Sequence, residues 1–249
     1  MLAVNRICIL VPVYNHPDCL AWLIAGLQET GVHTLLVNDG SEQLCTNLLR
    51  EIDASYEWIT LLERESNGGK GAAVKTGLLA AARLGYSHVL QLDADGQHDL
   101  GDIPRFLALS EGDPAAVITG TPQYDHVPVL RFYGRYLTHI WVWINTLSLD
   151  IPDSMCGFRV YPLEATIKII QATHTGDRMD FDPEILVRLH WAGIRVIPIR
   201  TSVTYPRDGV SHFRGFRDNL LISWAHTRLF FGMLARLPRL LHRRRLLNV

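Results

Sequence analysis

Residues 88–97 read HVLQLDADGQ. Five mostly apolar positions, His88 to Leu92, give way at once to Asp93, Ala94, Asp95, Gly96 and Gln97. That switch predicts a buried strand that delivers two carboxylates to a loop at its carboxyl end. Two earlier stretches have the same form. Residues 6–13 (RICILVPV) predict a strand ended by Pro12 and Asn15, with Tyr14 just beyond it. Residues 33–37 predict a second strand, closed by Asn38-Asp39-Gly40-Ser41.

Helical spacing fills the intervals. Leu20, Leu23, Ile24 and Leu27 share one face of a helix predicted over residues 17–30. Ser41 is placed to cap a helix reaching about residue 52. A third strand is predicted at 58–62, and a helix over 68–85 after the glycine-rich entry Asn67-Gly68-Gly69-Lys70-Gly71. Strands alternating with helices of this length imply a mainly parallel α/β sheet, whose ligands bind beyond the carboxyl ends of its strands. Tyr14, Asp39, Asp93 and Asp95 are therefore expected at one edge. Downstream, residues 115–120 and 194–203 predict strands, and 153–162 a loop with a short strand. Residues 129–149 predict an aromatic-rich helix, and 183–192 a helix with Asp182 as its cap. A long helical region from 213 is expected to bend or break at Pro238. No repeat or linker interrupts the chain. The division expected is a domain over 1–212 and a basic amphipathic helical appendage over 213–249.

With 249 residues and a formal net charge of −1, the chain does not have the charge of a nucleic-acid binder, and no nucleic-acid partner is expected. Its four cysteines form no C-x-x-C pair, which predicts neither a zinc site nor a disulfide framework and fits a reducing, cytoplasmic setting. No N-terminal signal stretch is read, and no run reaches the roughly 18 apolar residues of a membrane span. The arginines from Arg214 onward, beside Leu220, Trp224, Phe230 and Phe231, read instead as an interfacial helix on anionic lipid; a packed helix with a solvated basic tail is the plain alternative.

Asp93 and Asp95 are spaced to share Mg²⁺ or Mn²⁺ with substrate phosphate oxygens, Gln97 being a third candidate ligand. A simple turn accounts for Asp and Gly equally well. A calcium loop is excluded, because its sixth and twelfth positions hold His98 and Pro104. Gly68 to Gly71 suit phosphate at a helix N-terminus, and Lys70 adds charge. The spacing matches neither a Walker A loop nor G-x-G-x-x-G.

In this order the motifs resemble the family 2 glycosyltransferases of the GT-A fold, nearest to the small synthases related to dolichyl-phosphate mannose synthase. The segment at residues 153–159 (DSMCGFR) is similar to that family's D-x-x-S-G-F-R, and residues 207–211 (RDGVS) to its R-x-G-x-S. Cys156 and His212 depart from it, where Ser and Lys are common. The resemblance implies a GT-A (Rossmann-like) sheet flanked by helices. It implies a UDP- or GDP-sugar donor, a metal-dependent and inverting transfer, and an acceptor such as a lipid or polyprenyl phosphate. Pro12, Tyr14 and Asp39 would hold the nucleoside, beside Lys70, Asp93 and Ala94. Asp93 and Asp95 would be the D-x-D pair. Arg131, Arg135, Arg159 and Arg207 would grip phosphates, and Asp180 or Glu184 are candidates for a base. A nucleotidyltransferase is the rival enzyme, and a membrane scaffold with a degenerate fold is the non-enzymatic one.

Overall fold

A computed structural model describes residues 6–124, 129–204 and 215–247, with side chains for 6–123, 134–204 and 215–243. At its centre lies β1 (Ile7–Val13), parallel to β2 (Thr34–Asn38) on one side and to β4 (His88–Gln91) on the other. The strand is apolar because both its faces are covered. Ile9, Val11 and Val13 join Leu20, Leu23 and Phe106 in one core layer; Cys8 and Leu10 join Ala73, Leu78 and Phe181 in the other. The full sheet runs β3-β2-β1-β4-β6-β5-β7, with β3 at Ile59–Glu63, β5 at Val117–Tyr124, β6 at Arg159–Pro162 and β7 at Val196–Val203. It is parallel except for β6, which is antiparallel to both β4 and β5. The order reverses between β1 and β4, which is where such sheets open a crevice.

The helices are α1 (Pro17–Gln28), α2 (Gln43–Ser55), α3 (Lys70–Arg83), α4 (Ile103–Gly112), α5 (Val129–Thr146), α6 (Leu163–Ala172), α7 (Phe181–Trp191) and α8 (Gly215–Leu247). The sequence reading passed over α4 and α6, which are short and weakly punctuated. Three local expectations change. Ser41 is not a helix cap: its Oγ accepts from the Asn15 amide, and Glu42 precedes α2 without a capping side chain. α7 begins at Phe181, so Asp182 lies inside its first turn. Pro238 does not end α8, which runs through it. A proline costs a helix one backbone bond and a steric clash, and tertiary contacts on either side offset that here. Leu240 is buried, and Arg243 donates to the His190 and Gly193 carbonyls.

α8 packs against α5 and α7 through Ile222, Ala225, Leu229 and Met233, and Arg228 pairs with Glu184 of α7 at 3.0 Å. The region expected as an appendage is thus built onto the sheet domain. At the α5–α8 seam His226 Nδ1 accepts from Asn145 Nδ2 at 3.2 Å, which leaves the ring proton on Nε2. Burial pushes the His226 pKa down to about 4 from 6.5. A neutral folded histidine that is charged in the unfolded chain costs stability between those two values. Unfolding free energy is therefore expected to fall by on the order of 3 kcal/mol as pH drops from 6.5 to 4. Urea melts across that range should show a shallower slope in His226→Gln; equal slopes would remove His226 as the cause.

Candidate functional site

The loops that leave β1, β2 and β4 meet at the carboxyl edge of the sheet around a cleft of about 290 Å³. Pro12, Tyr14, Asp39, Lys70, Asp93, Ala94, Asp95 and Gln97 all line it. So do Met155, Arg178 and Asp218, which the sequence reading did not select. Asp218 arrives from α8, some 120 residues beyond the β4 loop, and no local pattern marks it. The β1 and β2 loops are tied together. The Glu42 amide donates to Asn15 Oδ1 at 2.7 Å, the Ser41 amide donates to Asn38 Oδ1 at 2.9 Å, and Asn15 takes a left-handed φ of 52° to fit.

Asp39 is nearly inaccessible at 2% exposure. Its Oδ1 accepts from Arg64 Nε at 2.8 Å and from the Gly68 amide at 3.0 Å; its Oδ2 accepts from the Gly69 amide at 2.8 Å. The glycine-rich entry is therefore not an open phosphate cradle. Two of its amides serve Asp39, and the Ala72 amide donates to the Asp177 carbonyl at 2.8 Å. The glycines serve close packing instead. A Cβ on Gly71 would overlap Phe181 and the backbone of Gly176 and Asp177, and Gly69 holds a φ of +102° against Arg178.

Lys70 was expected to face phosphate. Its ammonium instead bridges two carboxylates, 2.8 Å from Asp93 Oδ1 and 2.8 Å from Asp182 Oδ2. Burial works against this charge, but Asp182 and Asp93 outweigh it and hold the Lys70 pKa well above the ordinary lysine value. For Asp93, burial raises the pKa and Lys70 with His98 more than reverse it, so the carboxyl stays below the usual range. Behind Asp93 lies Gly157, where any Cβ would overlap the carboxylate. Asp95 is placed differently. Its Oδ1 accepts the Gln97 amide at 3.1 Å, and burial and the neighbouring Asp93 push its pKa up.

Arg159 is the clearest correction. It is fully buried, and all five of its N–H groups have partners inside the protein. Nε donates to Thr119 Oγ1; one terminal nitrogen serves Tyr161 OH and the Asp182 carbonyl; the other serves the Ser154 and Cys156 carbonyls, over 2.9–3.3 Å. It cannot reach a phosphate in the cleft. Glu184 is likewise closed to base chemistry: Arg188, Arg228 and the Gly176 amide occupy both its oxygens. Asp180, whose pKa burial raises, is buried at the start of α7 and is not among the cleft-lining residues. Arg135 Nε donates to Asp153 Oδ2 at 2.6 Å, and Asp153 Oδ1 accepts the Met155 and Cys156 amides. That arrangement holds the 153–159 loop against α5. The side chain of Arg131, and all of Arg207, lie outside the described residues.

Among the described residues, no three His, Cys, Asp or Glu side chains are grouped to hold a metal ion, and no helix is long and apolar enough to cross a membrane. α8 nevertheless carries a second apolar face. Phe216 (87% exposed), Leu220, Trp224 (59%), Phe231 and Leu234 fall within roughly a quarter of its circumference. Leu137 and Trp141 of α5 are exposed as well.

Residues 8–166 match the model of glycosyl transferase family 2. A dolichyl-phosphate β-glucosyltransferase of Trichomonas vaginalis is 30% identical over 200 residues, covering 72% of this chain and 59% of that protein. The polyprenol monophosphomannose synthase of Mycolicibacterium smegmatis is 26% identical, over 85% of this chain and 82% of its own length. Among solved structures, glucosyl-3-phosphoglycerate synthase of Mycobacterium tuberculosis, crystallised with Mn²⁺, UDP and phosphoglyceric acid, superimposes with a TM-score of 0.69. That match is 13% identical and covers 93% of this chain and 79% of the other, a likeness of fold.

Proposed function

Because the chain belongs to the family 2 glycosyltransferases, we propose that it moves a hexosyl group from a UDP- or GDP-sugar onto a polyprenyl or other lipid phosphate, with inversion and with a divalent ion. The observation that carries this reading is the convergence of Tyr14, Asp39 and Asp95 on one cleft at the strand-order reversal. Family membership also ranks a sugar-transferring enzyme above a nucleotidyltransferase or a scaffold.

In this reading Tyr14 and Pro12 flank the base and Asp39 accepts from it. A carboxylate offers about four acceptor positions, and three on Asp39 are taken. One remains, on Oδ2. Uracil presents a single imide N–H, whereas guanine presents two adjacent donors, so uridine is the better fit. Asp95, with hard oxygen donors turned to the cleft, would hold Mg²⁺ or Mn²⁺ together with diphosphate oxygens. The relatives crystallised with Mn²⁺ or Mg²⁺ support this. Such an ion supplies charge neutralisation for the departing diphosphate. Arg178, on the cleft wall, takes the phosphate role once expected of Arg159. An acceptor phosphate oxygen is already anionic and needs no base. That agrees with Asp180 and Glu184 being turned away from the cleft. The relatives named for dolichyl and polyprenol substrates support a lipid acceptor. The exposed stripe of α8, flanked by Arg217 and Arg239, suits docking at the cytoplasmic face of a membrane.

Calorimetry with UDP and GDP, with and without Mn²⁺, tests the donor side. Mn²⁺-dependent binding of UDP, tighter than GDP, is expected. Tighter GDP binding would remove the uracil assignment alone. Failure of folded protein to bind either nucleotide would remove the donor reading.

A further inference from the structure

We propose that Lys70 is a built-in counter-cation that closes Asp93 and Asp182 to divalent metal, so that metal enters the cleft only in company with the nucleotide diphosphate. The inference rests on the reading of this cleft as a metal-assisted nucleotide site, but its central measurement uses no nucleotide.

The placement of Lys70 calls for an explanation. It is the first residue of α3, at the positive end of the helix dipole, where a cation is disfavoured. Two carboxylates offset that cost. The ammonium lies 2.8 and 2.9 Å from the two oxygens of Asp93 and 2.8 Å from Asp182. Neither carboxylate is free to turn away. Gly157 backs Asp93 without room for even a Cβ. Asp182 is backed by Gln91 Nε2 at 3.5 Å and by Arg159 at 4.0 Å.

Charge decides the consequence. Asp93 and Asp182 carry two negative charges; Lys70 and Arg159 carry two positive ones. These four charges already balance, and Lys70 and Asp93 keep only 15% and 21% side-chain exposure at the cleft wall. A divalent ion brought to Asp93 and Asp182 would be repelled by the ammonium that already occupies their oxygens. Asp95, beside Asp93, adds the one further negative charge, and one carboxylate is a weak ligand set for Mg²⁺ or Mn²⁺. The nucleotide diphosphate supplies both the missing oxygens and the missing negative charge. Metal and nucleotide thus bind with positive coupling, and by linkage each must raise the affinity of the other equally.

Lys70→Met removes the counter-cation and leaves Asp93 and Asp182 facing a common point. Titration of Mn²⁺ alone, read from the paramagnetic resonance signal of the free ion, separates the possibilities. The wild-type protein is expected to take up no Mn²⁺ at sub-millimolar concentration, and to take it up once UDP is present. Lys70→Met is expected to bind Mn²⁺ without nucleotide, at least tenfold more tightly than wild type, and to melt at a higher temperature when Mn²⁺ is added. If that variant does not fold even with Mn²⁺, Lys70→Gln removes the same charge while its amide can still donate to Asp93 and Asp182. It should likewise bind Mn²⁺ without nucleotide. Nucleotide-free binding by wild type as tight as by the folded variant would overturn the proposal, and so would no gain in either variant. Lack of UDP binding would instead count against the donor reading.

Discussion

Replacing Asp95 by Asn is expected to lower sugar transfer by ~10³-fold, about 4 kcal/mol of transition-state stabilisation. The protein should remain folded. The swap keeps the size of the side chain, and an amide oxygen can still accept from the Gln97 amide as Asp95 Oδ1 does at 3.1 Å. What disappears is the negative charge. Its pKa is raised by burial and by Asp93, so the ionised Asp95 strains the fold at neutral pH rather than supporting it. A neutral amide relieves that strain, and the melting temperature should hold steady or rise slightly. Loss of function without loss of stability marks a residue kept for its ligand. Transfer assays at saturating Mn²⁺, paired with thermal melts, provide the check. A variant with a tenth or more of wild-type turnover would remove Asp95 from the role of metal ligand.

Asp95 was legible in sequence because its signal is local. An apolar run that breaks into Asp-Ala-Asp states both the strand and the edge at which it ends. The same holds for Tyr14 after β1 and Asp39 after β2, so the place of the cleft at one edge of a mainly parallel sheet follows from three such breaks, while the strand order and the antiparallel β6 do not. The pairing of Lys70 with Asp93 and Asp182 was not legible. Those residues come from α3, the β4 loop and α7, and nothing within ten residues of any of them reports the others. Asp182 even carries a plausible local explanation, as a helix cap before Pro183, and tertiary structure overrides it: the carboxylate turns to Lys70 instead. Pro238 shows the same override in the other direction. The residue predicts a bend or a break, and the packing of Leu240 and Arg243 carries α8 through it unbroken.

Arg159 shows where motif and burial diverge. An arginine in a phosphate-handling enzyme invites a phosphate-binding role, and residue type alone cannot separate that from a structural one. A buried guanidinium with five acceptors around it can be tested on stability. Arg159→Leu is expected to destabilise the protein by about 3–5 kcal/mol, the usual cost of removing one member of a buried charged network. The Ser154, Cys156 and Asp182 carbonyls would each lose a donor in a site closed to water. Asp182 would also lose its nearby positive charge, leaving the Lys70 group one charge out of balance. Against a total stability of roughly 5–15 kcal/mol, such a loss brings the fold close to collapse. Arg159→Lys keeps the charge but has three donors rather than five, so it should lie between the two. A phosphate-gripping arginine predicts the opposite pattern: both variants stable, with a raised KM for donor or acceptor. Urea unfolding separates the two roles, because an unfolding free energy for Arg159→Leu within about 1 kcal/mol of wild type would reject the structural assignment.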